Sequence, residues 1–102
     1  MSFTQETQKF YDDILSSNPK YSTPAYRKVL LLTCEALDEY RLAYDAIQQH
    51  GHTYEDRFGN PRSRPEVAIV RDTRNSIRQL VKQLEISDDV VASTIPSISS
   101  RR

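Results

Sequence analysis

Three groups of residues in this sequence could do chemistry, and each implies a different kind of protein. His50 and His52, with Glu55 and Asp56 close behind, carry the imidazole and carboxylate groups that hold metal ions. A metal centre needs ligands converging from a rigid frame, and near neighbours in one connecting loop do not supply that, so these four read as surface loop residues. Cys34 is the single cysteine, so it has no disulfide partner in its own chain. It falls on an apolar helical stripe with nothing beside it to lower its pKa, which reads as a buried structural thiol rather than a nucleophile.

The third group is cationic. From Arg62 to Lys82 the basic residues Arg62, Arg64, Arg71, Arg74, Arg78 and Lys82 face only two acids, Glu66 and Asp72, for a local net charge of plus four. Arg71, Arg74, Arg78 and Lys82 recur at steps of three and four, so a helix would align them on one face. Three uses of such a row stay open: a solvated surface, pairing with an acidic helix of the same or another copy, or contact with nucleic-acid phosphates. Glu35, Asp38, Glu39 and Asp45 form an acidic counterpart upstream, offset by Arg27, Lys28 and Arg41.

Other chemistry is missing. The sequence has no glycine-rich phosphate loop and no paired carboxylates in a setting that would shift their pKa values. No catalytic residue, metal site or cofactor is assigned, and the chain is read as non-enzymatic. Tyr40 and Tyr44 read as core rather than as a base-stacking platform. Formal net charge is zero, so any attraction to nucleic acid must come from local segregation of charge.

The elements that would position these residues follow from punctuation and periodicity. The 102 residues make one domain, and only 37% of them are hydrophobic, which points to a tail or to apolar surface that an oligomer covers. Two glycines, Gly51 and Gly59, are too few for the turns of an all-β fold. A first helix is expected over roughly Gln5 to Leu15, capped by Ser2 or Thr4, with Phe10, Tyr11, Ile14 and Leu15 as its stripe. Asn18-Pro19 breaks it, and Tyr21-Ser22 reads as linker.

Thr23 as cap and Pro24 at the first helical position open a long helix that runs to about His50, with Gly51 as its left-handed stop. Two adjacent stripes, one through Leu30, Cys34, Leu37, Tyr44 and Ile47 and one through Val29, Thr33, Ala36, Tyr40 and Ala43, make an apolar face wider than one partner helix needs. Gly51 to Arg64 reads as a loop with a small hairpin or turn, because His52-Thr53-Tyr54-Glu55 is β-prone and Phe58-Gly59-Asn60-Pro61 has turn chemistry. A third helix starts near Pro65, capped by Ser63 with Glu66 in capping-box spacing or by Arg64 itself. It buries Val67, Val70, Thr73, Ile77, Leu80 and Leu84 and ends near Ile86. The fold class is all-α: a short N-terminal helix (1–22), a helical hairpin of a long helix and its antiparallel partner (23–87), and a flexible tail (88–102). No run approaches the roughly eighteen apolar residues of a membrane span, and the N-terminus lacks the basic start and apolar run of a signal peptide, so a cytosolic, membrane-free protein is expected.

Thr23 to Ser87 resembles the small subunit of phage terminase. The resemblance is carried by Thr23-Pro24, by Leu32-Thr33-Cys34-Glu35-Ala36-Leu37-Asp38-Glu39-Tyr40, and by Ala43 to Ile47 with Gly51 ending the helix. It continues through Tyr54-Glu55-Asp56-Arg57-Phe58-Gly59-Asn60-Pro61, Arg64-Pro65-Glu66-Val67, Arg71-Asp72-Thr73-Arg74 and Leu80 to Ile86. Its specificity lies in the order and spacing of these pieces. Where relatives often continue with a proline and a Ser-Arg pair, Ser87-Asp88-Asp89 stands here.

The resemblance implies a ring-forming homo-oligomer, of roughly eight to twelve chains, in the cytoplasm of a host bacterium. Such a subunit recognises double-stranded viral DNA, of a phage or prophage, and delivers it to the large subunit, which carries the ATPase and nuclease. On that reading Arg57, Arg62, Arg64, Arg71, Arg74, Arg78 and Lys82 are candidates for DNA phosphates, joined by Lys20, Arg27 and Lys28 near the N-terminus. Leu30, Leu37, Tyr40, Tyr44, Ile47, Val70 and Ile77 are candidates for the oligomer interface. The tail from Val90 to Arg102 is the candidate tether for the large subunit. The main rival is a helical adaptor or antitoxin-like interaction protein without a DNA role, and a more distant one is a metal enzyme using the loop histidines.

Overall fold

The computed structural model describes residues 3–86, and the expected C-terminal tail lies outside them. In chain order the elements are α1 (Gln5–Ser17), a 3-10 turn (Pro19–Ser22), α2 (Pro24–His50), β1 (Thr53–Glu55), β2 (Pro61–Ser63) and α3 (Pro65–Leu84). The chain is mostly helical. The departure from an all-α reading is the two-stranded antiparallel ribbon of β1 and β2 between the long helices, with Tyr54 opposite Arg62.

α2 organises the rest. Its 27 residues span about 40 Å at the helical rise. It starts on Pro24, whose missing N–H would be unbonded there in any residue. The hydroxyl of Thr23 does not cap the helix but donates backwards to the Lys20 carbonyl at 2.6 Å. The helix stops at Gly51, at φ 85° and ψ −178°, a conformation that a side chain strongly disfavours. Its two apolar stripes merge into one arc of Leu30, Thr33, Cys34, Leu37, Tyr40, Ala43 and Ile47, all buried.

Covering so wide an arc takes partners on two sides. α1 supplies Phe10 and Ile14, and α3 supplies Val70, Ile77, Val81 and Leu84 to the same core. Leu30, Leu37, Ile77 and Leu84 are fully buried, each contributing on the order of 2 kcal/mol through removal from water. The buried hydroxyls of Thr33 and Thr73 donate to carbonyls one turn back, Val29 at 2.8 Å and Ile69 at 2.6 Å, so neither is left unsatisfied. On α3 it is Val81 that is buried and Leu80 that lies half-exposed at the flank, the reverse of the expected stripe. Steps of three, four, four and three from Val70 track the core better than the path through Leu80.

Contacts between α2 and α3 run in opposite orders along the two helices. Tyr21, just before α2, bonds Leu84 at the end of α3; Tyr40 meets Arg74; and Ala43 and Ala46 share a groove with Glu66 and Ile69 near the start of α3.

Both ends of α1 are tied to its neighbours. Thr4 caps it, accepting from the Thr7 N–H at 3.4 Å, and Asp38 of α2 accepts from the Thr4 hydroxyl at 2.9 Å and the Thr4 N–H at 3.3 Å. At its far end the expected linker is a structural anchor. Asn18 caps the 3-10 turn, and the turn drives Tyr21 into the core at 3% exposure. The Tyr21 hydroxyl donates to the Leu84 carbonyl at 2.7 Å. That carbonyl belongs to the last turn of α3, where no intrahelical donor remains.

α3 itself starts on Pro65 with Arg64 as cap, and neither Arg64 nor Ser63 makes a side-chain capping bond. The expected run to Ile86 is cut at Leu84 because Glu85 turns left-handed, at φ 63° and ψ 38°. The Glu85 N–H then donates to Lys82 O at 3.1 Å and the Ile86 N–H to Val81 O at 3.5 Å, with Ile86 packed back on the core. These are the paired bonds and the apolar contact of a Schellman close. Lys20 reaches across to Glu85 at 2.7 Å, so the 3-10 turn holds this end of α3 twice.

Tyr21→Phe should destabilise the protein by about 1–3 kcal/mol in urea denaturation, since it strands a buried carbonyl while keeping the ring. A change of a few tenths would mean that the Leu84 carbonyl is satisfied without Tyr21.

Candidate nucleic-acid interface

The basic residues singled out in the sequence divide into three groups by what holds them. On α3, Arg71, Arg78 and Lys82 are exposed, and Arg71 pairs only with its neighbour Asp72, at 3.2 Å. Both members of that pair are about two-thirds exposed, so it constrains Arg71 little. Arg74 does not stand in line with them. Its guanidinium is half-buried over the Tyr40 ring at 5.8 Å, and Nη2 donates to the Tyr40 hydroxyl at 3.4 Å. It lies closer to the core-facing stripe than its companions and works partly as packing.

The ribbon holds the second group. All six strand residues are exposed. Arg57 lies over the Phe58 ring at 5.1 Å, Arg64 over the Tyr54 ring at 5.9 Å, and Arg62 donates to Asp56 at 3.0 Å. Phe58 is 74% exposed, so the tip presents an aromatic ring with a cation stacked on it.

The third group lies around the start of α2. Arg27 and Lys28 are exposed there. Lys20 is engaged: it pairs with Glu85, whose carboxylate raises its pKa above the ordinary value, and it sits 5.3 Å from the ring centres of both Tyr21 and Tyr26.

Asp56 is the residue whose role the sequence did not suggest. Read there as a surface loop residue, it is the organiser of the ribbon tip. One carboxylate oxygen accepts from the Phe58 N–H at 2.9 Å and the Asn60 N–H at 3.0 Å, and the other accepts from Arg62. Its backbone closes the loop as well, with Gly59 N–H donating to Asp56 O and Asp56 N–H donating to Asn60 O, both at 2.9 Å. Gly59 adopts φ 81°, the left-handed residue that a three-residue hairpin loop requires. The visible signal was the Asp-x-Phe-Gly-Asn spacing, an aspartate placed to bond the N–H two residues on. His50, His52 and Glu55 are exposed along the start of this ribbon, and among the described residues no three metal-ligating side chains gather.

The residues named for an oligomer interface lie within the protomer. Leu30, Leu37, Tyr40 and Ile77 are fully buried, Ile47 and Val70 nearly so, and Tyr44 is half-buried with its ring stacked on Tyr40 at 5.9 Å. α1 and α3 of the same chain already cover them. The large apolar side chains that α2 leaves exposed are Leu31, Leu32 and Leu42, the last at 70%. Cys34 is buried, which pushes its thiol up to about 12, with Asp38 adding to the effect, so the nucleophilic thiolate is suppressed.

The Asp56 carboxyl is held below the ordinary carboxylate range by the Asn60 N–H first and by Arg62 next. What it lends the ribbon is therefore fully present above its unfolded value, about 3.9, and is lost as pH falls through the lower folded value. Amide signals of Phe58, Gly59 and Asn60 should shift and lose exchange protection below about pH 4, and Asp56→Asn should abolish that step. Signals that stay unchanged down to the onset of global unfolding would show that the loop does not depend on the charge.

The family model described as phage terminase, small subunit, matches residues 10–89. The match takes in most of α1, all of α2, the ribbon and α3. No curated protein and no solved structure matches the chain. With a family match over most of its length, and with a helical core that displays cations on α3 and on a protruding ribbon, the chain belongs to the phage terminase small-subunit family.

Proposed function

We propose that this chain is the recognition and assembly subunit of a phage DNA-packaging motor. It oligomerises through the helical hairpin of α2 and α3, binds double-stranded viral DNA, and presents that DNA to the large subunit that carries the ATPase and nuclease. The observation that carries this reading is the family match over residues 10–89. The exposed row of Arg71, Arg78 and Lys82 supports it, because among the described residues that row has no ion-pair partner beyond a solvent-exposed neighbour of Arg71.

The DNA contact is electrostatic and repetitive. Each chain offers a few cations, too few for tight binding alone, and a closed assembly multiplies them along a phosphate backbone. Arg64 at the cap of α3, and Arg27 and Lys28 at the start of α2, extend the same surface in this reading. Arg62 and Lys20 are secondary, since each already has a carboxylate partner. The proposed contact does not depend on base sequence, because α1 is spent on covering α2 and, among the described residues, each helix packs into the shared core. The assignment of the C-terminal tail to the large subunit falls outside the described residues and rests on the family alone. No described helix is long and apolar enough to cross a membrane, and the proposed site of action is the host cytoplasm.

The charge reversal Arg78→Glu with Lys82→Glu should weaken binding to mixed-sequence duplex DNA. The slope of log affinity against log salt should fall by about 2 for each chain engaged, with no loss of native mass in light scattering. Unchanged affinity in a folded, assembled variant would remove α3 from the DNA surface.

A further inference from the structure

We infer that neighbouring copies of this chain lock together by seating the ribbon tip of one, Phe58 with Arg57, in a groove between α2 and α3 of the next. The inference rests on the homo-oligomer reading above and adds to it the surface, the partner residues and the type of contact.

The two most exposed large apolar side chains among the described residues are Phe58, at 74%, and Leu42, at 70%. Phe58 projects from the ribbon tip. Leu42 stands at the edge of a groove of about 260 Å³ lined by Glu39, Leu42, Ala43, Ala46, Glu66 and Ile69. The floor is apolar and shallow because alanines occupy it on the α2 side. An internal cavity of roughly 150 Å³ already admits benzene, so the groove has room for a phenyl ring.

Charge fits in the same sense. Two carboxylates, Glu39 and Glu66, line the groove, and among the described residues neither is in an ion pair. One carboxylate oxygen of Glu66 is buried and, among the described residues, has no hydrogen-bond partner, an arrangement that a cation or donor would relieve. The ribbon tip carries the matching cation, since the Arg57 guanidinium lies over the Phe58 ring and is likewise in no ion pair among the described residues. Aromatic residues, phenylalanine included, and arginine are enriched at protein–protein interfaces.

The tip does not fill its own groove: Phe58 remains exposed in the protomer. Asp56 braces the loop through three side-chain hydrogen bonds, and three-residue strands leave little chain for it to fold back. A second copy is therefore the occupant. Because knob and groove are different surfaces, the contact is heterologous, and a repeated heterologous contact closes into a ring when its rotation allows.

The test uses the full chain and two double variants at exposed positions. The knob variant is Arg57→Glu with Phe58→Ser, and the groove variant is Glu39→Arg with Leu42→Lys. Circular dichroism checks that each folds, and light scattering behind a sizing column reads the mass. The wild type should assemble, and each variant alone should fall to the single-chain mass of 11.8 kDa. An equimolar mixture of the two should give a species of two chains, because one intact knob and one intact groove remain between them. A monomeric wild type would overturn the assembly reading and this inference together. An assembled wild type with variants of unchanged mass would overturn this inference alone. A knob variant that assembles normally but loses DNA binding would assign the tip to DNA and likewise overturn it.

Discussion

A single helix whose apolar arc is too wide for one partner sets the terms for this molecule. α2 buries seven residues over its length, and part of that arc would face water if α3 were its sole neighbour. The N-terminal helix and the 3-10 turn exist, in energetic terms, to cover the remainder. They cannot do so by apolar contact alone, because a 13-residue helix is marginal by itself. Asp38 holds one end of α1 through Thr4, and Tyr21 locks the turn at its other end to the last carbonyls of α3. The core is thus closed at the point where three segments distant in sequence meet.

This arrangement separates the tasks of the surface. Cations occupy positions that the core does not need, on the outer side of α3 and on the ribbon, while the acidic residues of α2 lie near the other partners: Asp38 at the α1 cap and Glu39 at the groove. Zero net charge is compatible with a cationic row on α3 because carboxylates such as Glu35, Glu39 and Asp45 are carried by α2 instead. Asp56 is the clearest case of a carboxylate used for structure. Its charge is consumed by two N–H groups and Arg62, and among the described residues Arg57 at the ribbon tip stays out of any ion pair.

Much of this could be read from residue order. Thr23-Pro24 and Gly51 marked the ends of α2, Pro65 marked the start of α3, and the β-prone run before Phe58-Gly59 marked the ribbon, because each of these residues acts through its own backbone geometry. What escaped was whatever depends on a partner far along the chain. Tyr21 looked like linker because a four-residue 3-10 turn has no periodicity to display, and its partner lies 63 residues away. Arg74 shared the spacing of the basic row, yet its rotation around α3 brings it to Tyr40. Two periodic stripes of α2 mark residues that need cover, but periodicity does not distinguish cover by the same chain from cover by a neighbouring copy. The protomer itself buries Leu30 and Leu37 and leaves Leu42 and Phe58 exposed.

The left-handed turn at Glu85 has a consequence for direction. It ends α3 abruptly and delivers the chain at Ile86 beside the 3-10 turn, at the opposite end of the long helices from the ribbon. The protomer is thus a vector, with its ribbon at the head and Ile86 at the foot. Cyclic symmetry never reverses a subunit, so every copy in a closed assembly would point the same way. Heads would gather on one rim and feet on the other, whether those rims lie above and below or inside and out. Such a body would carry unlike chemistry on its two faces without any further device to make them different.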